Sequence, residues 1–204
     1  MQEDTSFDLG AAVAAAKTTL TVPSPAPGQS ALVMLCGLPG TGKTTLARRL
    51  ADGLPAVVVE SDRVRQKLFA RPAYTGQESQ RVHQVCHILI GWYLRHYYHV
   101  VYDATNLYEY HRGLIYRLAA RSGACLVVVE VTASDDVVRE RLAPRRRTHP
   151  AVPAQKDYSD ADWDVYVRMR RRSEPIQHDH IVVDTSDGDV ERAAGCVVNA
   201  VRDQ

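Results

Sequence analysis

No apolar run in this sequence approaches the ~20 residues that a bilayer-spanning helix needs. The opening residues, MQEDTSFDLG, carry acids where a secretory leader needs a basic start, so the expected compartment is the cytoplasm. Cysteine is scarce and dispersed: Cys36, Cys86, Cys125 and Cys196 form no C-x-x-C pair, which argues against a disulfide framework. Cys36 and Cys125 fall in apolar runs and read as small buried hydrophobes. Excess charge is missing too; a formal net charge of +1 gives no global pull towards nucleic acid or an anionic membrane. What remains, 204 residues with 45% hydrophobic and 24% charged content, suits one soluble α/β domain with a full core.

The stretch ALVMLCGLPGTGKTTLARRL, residues 31–50, organises the chain. Residues 31–36 are short, apolar and β-prone, as a buried strand is. Gly37, Leu38, Pro39, Gly40, Thr41, Gly42, Lys43 and Thr44 then fit G-x-x-x-x-G-K-[ST] without a gap. A helical pattern follows from Thr45, with Leu46 and Leu50 on one face. Strand, glycine loop and helix in that order predict a phosphate-binding loop. Glycines let backbone N–H groups close on a triphosphate, and the helix turns the positive end of its dipole towards it. Lys43 is expected on the β- and γ-phosphates of ATP and the Thr44 hydroxyl on Mg²⁺.

Further β-branched or apolar runs at 56–60, 99–103, 125–131 and 181–184 predict four more strands. Helical patterns lie between them at 61–70, 77–98, 110–122, 134–142, 159–172 and 189–201. On residues 77–98 an apolar stripe runs through Val82, Val85, Cys86, Leu89, Tyr93 and Tyr97. Alternation of strand and helix implies a five-stranded parallel sheet in a three-layer α/β sandwich, with its site at the strands' carboxyl ends. Residues 1–29 read as a poorly ordered arm and linker ahead of a domain at 30–204, because TVPSPAPGQS breaks the pattern.

Several chemistries lack their signatures. There is no N-K-x-D for a guanine-specific switch and no LSGGQ. His83 and His87 have metal-ligand spacing, but position 84 is Gln, so an edge or pocket role is expected and not zinc. Asp62, just past the second strand, is placed to take a proton from an attacking hydroxyl. Arg65, one turn on, can hold an anionic acceptor. Asp103 ends a strand as a Mg²⁺-binding carboxylate does. His178, Asp179 and His180 read as loop chemistry.

GLPGTGKT, then E-S-D-R-V-R, then V-V-Y-D-A-T-N and a basic segment together resemble the small phosphate-loop kinases. That group includes polynucleotide 5′-kinases, zeta toxins and chloramphenicol phosphotransferase, and its uncharacterised members share a segment similar to SDADWDVYVRMRRRSEP. The resemblance spans residues 31–201. It implies Asp62 as base, Arg65 at the acceptor, and a basic lid whose arginines, best matched by Arg141 and Arg145, neutralise the transferred phosphoryl group. The implied reaction is ATP- and Mg²⁺-dependent transfer to a hydroxyl. A small-molecule acceptor ranks first, because Tyr93, Tyr97 and His87 suit an aromatic or sugar-like ring. A nucleic-acid 5′-end is second and a nucleotide sugar third. A slowly hydrolysing nucleotide-binding module is the reading from another class.

Overall fold

The computed structural model describes residues 7–26, 28–143 and 161–203. Among these, the chain runs α1 (Leu9–Lys17), β1 (Ala31–Cys36), α2 (Lys43–Gly53), β2 (Ala56–Glu60), α3 (Ser61–Leu68), α4 (Gly76–Arg95) and β3 (His99–Asp103). It continues through α5 (Glu109–Arg121), β4 (Cys125–Thr132), α6 (Asp135–Leu142), α7 (Trp163–Arg170), β5 (Ile181–Asp184) and α8 (Val190–Arg202).

All five strands pair in parallel, in the order β2-β3-β1-β4-β5. β1 lies at the centre with six consecutive buried residues, which is why it reads as an unbroken apolar run. Its side chains divide by parity. Leu32, Met34 and Cys36 join the core beneath α1, α4 and α5, whereas Val33 and Leu35 join the core beneath α2 and α8. The result is the expected three-layer sandwich. The chain leaves β1 for β2, skips the slot that β3 fills, and so opens a crevice at the carboxyl edge where a parallel sheet takes its ligand.

Three local outcomes differ from expectation. The alanine-rich segment of the arm, whose composition allows a helical turn or two, forms the whole of α1, capped by Asp8 on Ala11 N at 3.0 Å. Ala12 and Ala16 are buried in the core, and Lys17 Nζ sits 3.4 Å over the Trp92 ring. Small side chains let this helix lie close on α4, and composition alone gave no sign of that. Secondly, α4 stops at Arg95, and Tyr97 takes a left-handed φ of 62° and is 64% exposed, so the apolar stripe ends at Tyr93. Thirdly, the cap of α3, which Ser61 or Asp62 could have supplied, falls on Glu60, so β2 runs straight into the helix and Asp62 lies in its first turn. The basic lid, including Arg145, Arg146 and Arg147, lies outside the described residues. No helix among the described residues is long and apolar enough to cross a membrane.

Candidate active site

The glycine loop is held by contacts that leave no room for other residues. At Gly37 φ is +145°, and a Cβ there would stand 2.3 Å from the Val131 carbonyl oxygen. Gly37 N donates to Thr105 O at 3.0 Å, which ties the loop to the end of β3. Gly42 caps α2 in a left-handed conformation, φ 92°, where side chains are disfavoured. Thr41 Oγ1 and Lys43 Nζ both donate to Leu38 O, at 2.9 and 2.8 Å, so the lysine folds over the loop it is expected to serve. Pro39, Gly40, Gly42, Lys43, Thr44 and Thr45 line one cleft of about 1960 Å³. Gly37, Leu38 and Thr41 shape the loop from behind; Leu38 turns its side chain towards Val138, Leu142 and Tyr166.

A brace not foreseen from the sequence clamps this loop. Thr185, just past β5 and 1% exposed, donates from Oγ1 to Thr41 O at 2.8 Å. Arg141 on α6 donates to Thr185 Oγ1 and Thr185 O at 2.9 and 2.8 Å, and to Gly40 O at 3.3 Å. Arg141, expected to reach across from a lid, is thus bonded to the loop's own backbone. Arg139 stacks 4.4 Å over the Trp163 ring.

Acidic groups gather at the ends of β2 and β3. Glu60 and Asp103 are register partners, and both face the cleft with Asp62. Burial, then the charges of Asp103 and Asp62, push the Glu60 carboxyl up to about 8. Sequence reasoning passed over Glu60; its signal was an acid closing an otherwise β-branched run. Among the described residues no three His, Cys, Asp or Glu side chains form a metal-holding group. A hydroxyl and a carboxylate from Thr44 and Asp103 on one cleft nevertheless fit Mg²⁺, which takes few protein oxygens and completes its shell with phosphate and water.

Arg65 is where expectation and structure diverge most. It is 6% exposed, and its Nη1 pairs with Glu78 Oε1 at 2.6 Å. Its Nη2 donates to Ser79 Oγ at 3.3 Å, while Nε lies 4.0 Å from Asp62 Oδ1. Burial would raise the Glu78 carboxyl, but the Arg65 hydrogen bond and the Ala73 N–H at 2.8 Å outweigh it and hold the group below its ordinary range. Arg65 therefore faces the cleft with its charge already matched.

Beyond Asp62 the wall is made of rings. His83 Nδ1 lies 2.9 Å from Tyr102 OH, and the His83 and His111 rings stack with centroids 5.5 Å apart. His87 stands 6.2 Å from His83. Burial, then neighbouring imidazoles, lower His83 to about 4; burial and His111 do the same to His87. Of the three residues expected in an acceptor pocket, only His87 lines the cleft: Tyr93 is in the core and Tyr97 points to solvent. Thr105 and Asn106 do face it, and Asn106 Nδ2 donates to Leu35 O at 2.7 Å. Asn106 is fixed in turn by the unforeseen Arg112, 1% exposed, which bonds Asn106 O, Glu174 O and Pro175 O at 2.9, 3.0 and 2.6 Å. An arginine on the face shared with Ile115 and Ala119 was the one clue.

Known proteins share this architecture. A probable adenylyl-sulfate kinase of Aeropyrum pernix is 25% identical over 84% of this chain and 92% of its own length. An uncharacterised protein of Mycobacterium tuberculosis is 28% identical over 68% of the chain, which spans 31% of that longer relative. The structure of the Mycobacterium tuberculosis APS kinase CysC in complex with AMPPNP and APS superimposes with a TM-score of 0.64 at 16% identity, covering 86% of this chain and 99% of that one. The profile of the AAA domain family matches residues 32–176, well over half of the chain. With that match over most of its length, the chain belongs to the AAA domain family, and it shares the phosphate-loop α/β fold of its structural neighbours.

Proposed function

We propose that this protein transfers the γ-phosphoryl group of ATP to a hydroxyl of a small molecule. The observation that carries this is that the glycine loop and the three carboxylates share one cleft, whose 1960 Å³ exceeds what a single ligand of roughly 300–1,000 Å³ fills. The phosphate loop occupies one side and the rings of α4 and α5 the other, so a nucleotide and an acceptor can meet at Asp62.

In this reading the loop amides and Lys43 bind the β- and γ-phosphates. Mg²⁺, when bound through Thr44 and Asp103, neutralises the phosphate charge that would repel an incoming oxygen. Asp62, with its side chain one-third exposed, takes the acceptor's hydroxyl proton. The acceptor oxygen forms a bond to the γ-phosphorus as the bond to the β,γ-bridging oxygen breaks, and ADP leaves. Arg65, locked by Glu78, orients Asp62. Arg141 braces the loop, and the resemblance assigns developing charge to Arg145. A nucleic-acid 5′-end fits less well, since Arg65, the cation meant for its phosphodiester, is already paired.

Incubation of γ-labelled ATP and Mg²⁺ with pooled hydroxyl compounds and 5′-hydroxyl oligonucleotides tests the reading. Label should move to a small molecule, and Asp62→Asn should slow that transfer by about 10²–10⁴-fold with ATP affinity kept. Undiminished transfer in the variant would remove Asp62 as the base.

A further inference from the structure

The part of the cleft that the nucleotide does not explain has a consistent chemistry. Starting from Asp62, its wall carries His83 and His87 on α4 and His111 on α5, with Tyr102 of β3 buried behind them. The rings touch in sequence. Tyr110 and Tyr108 lie 5.5 and 5.9 Å from His111, His111 stacks on His83, and His87 meets Tyr102 edge-on at 6.3 Å. Of the seven large hydrophobic residues that stay exposed among the described residues, four line this cleft: Tyr74, Ile88, Tyr108 and Tyr110. Exposed apolar area gathered at the mouth of a cavity marks a ligand surface.

Cations are placed elsewhere. Lys43, Arg48 and Arg141 belong to the glycine loop, α2 and the brace. Arg168 comes from α7, which docks through Tyr166 on α6 beside Leu38, and Arg172 follows that helix. Arg95 and Arg121 lie at the far ends of α4 and α5, about 18 Å along the axis from His83 and about 15 Å from His111. Arg65 borders the ring-lined wall but is matched by Glu78. Burial, and then the neighbouring imidazoles, lower His83 and His87, so both are neutral near pH 7. A desolvated anion entering here would meet neutral donors and a compensated guanidinium, which is costly. A neutral ring would find stacking faces, while its hydroxyls would find imidazole nitrogens.

We propose that the ring-lined pocket between α4 and α5 is the acceptor subsite and selects an uncharged, ring-bearing hydroxyl compound, with His83, positioned by the buried Tyr102, as the specificity-determining residue. This rests on the kinase reading and goes further by excluding anionic acceptors from the subsite. Adenylyl sulfate, the anion named for the relatives, is therefore not its substrate.

The test uses matched acceptors: nucleosides, hexoses and aryl alcohols, each beside a charged counterpart (nucleoside 3′-monophosphate, hexuronate, carboxyaryl alcohol), with adenylyl sulfate included. Phosphoryl transfer from ATP should favour the neutral member by tenfold or more in kcat/KM. On the preferred acceptor, His83→Leu should raise KM about tenfold with kcat little changed, and His83→Gln, whose amide can still bond Tyr102, should restore most of it. Unfolding curves on both variants separate loss of binding from loss of fold. Preference for the charged members, with transfer still dependent on Asp62, would overturn the proposal while leaving the kinase reading intact. Transfer to neither class by an enzyme whose ATP hydrolysis is the same with Asn at position 62 would remove both.

Discussion

On the phosphate side of the cleft, backbone does most of the positioning. Gly37 and Gly42 adopt φ values closed to most residues, and Thr185 and Arg141 hold the loop by its carbonyls. On the acceptor side the polypeptide is ordinary helix, and the surface is made by side chains: His83, His87 and His111 from two helices on one face of the sheet, with Tyr102 of β3 buried beneath His83. A group common to every nucleotide can be bound by backbone, which is the same whatever the sequence. A particular acceptor has to be recognised by side chains. The two sides meet at Asp62, placed by the direct run of β2 into α3.

Substitutions can break this comparison, and the largest effect is expected where the two sides join. Arg65→Ala leaves Glu78 buried and unpaired, so stability should fall by about 4 kcal/mol in urea unfolding. Replacing both partners, as Arg65→Met with Glu78→Leu, should recover most of that loss, because the pair matters as a pair. Recovery of stability without recovery of transfer would show that Arg65 also orients Asp62.

On the backbone side, Gly37→Ala should cost about 3 kcal/mol, because its Cβ meets a main-chain oxygen that cannot move aside. Nucleotide affinity should be lost with it. A variant that melts and binds like the parent would contradict the close approach of β4 to the loop.

A smaller effect separates the carboxylates. Glu60 has a folded pKa of about 8 against 4.5 in the open chain. Below about pH 4.5 both states are protonated and the group contributes nothing. As pH rises from 4.5 to 8 the unfolded chain gives up the proton first, so folding is progressively destabilised. Glu60→Gln removes that decline, and its stability gain over the parent should grow steadily across this window. A gap that stays constant with pH would contradict a buried, neutral Glu60.

Thr185→Val should have the least effect. It removes one hydroxyl from the brace, at about 1 kcal/mol, and should weaken binding of an ATP analogue by about threefold. Equal weakening of acceptor binding would show that the brace serves both sides.

The same contrast explains what the sequence disclosed. The loop was legible because triphosphate binding demands glycines at fixed spacing, and the strands because burial on both faces demands unbroken β-branched runs. That Asp62 and Asp103 line the cleft was legible because strand ends are where a parallel sheet opens to a ligand. The Thr185 brace was not legible, since 144 residues separate it from Thr41 and no local pattern links them. Arg65 looked like a cation for an acceptor because Glu78, its partner, lies across a loop on another helix. His83 and His87 were seen as a pair, but His111, which lines the pocket with them, and Tyr102, buried behind His83, come from elements that only the fold brings together. The alanine helix α1 was set aside as an arm because small residues carry little hydrophobic signal, although they permit the closest packing.

The most direct measurement of the central claim, that nucleotide binding and acceptor chemistry are built separately and meet at Asp62, is a paired titration and single-turnover assay on Asp62→Asn. The account predicts an unchanged dissociation constant for an ATP analogue with Mg²⁺ and a transfer rate lower by at least about 10²-fold. An analogue affinity that falls in step with the rate would contradict it, because Asp62 would then belong to the nucleotide site.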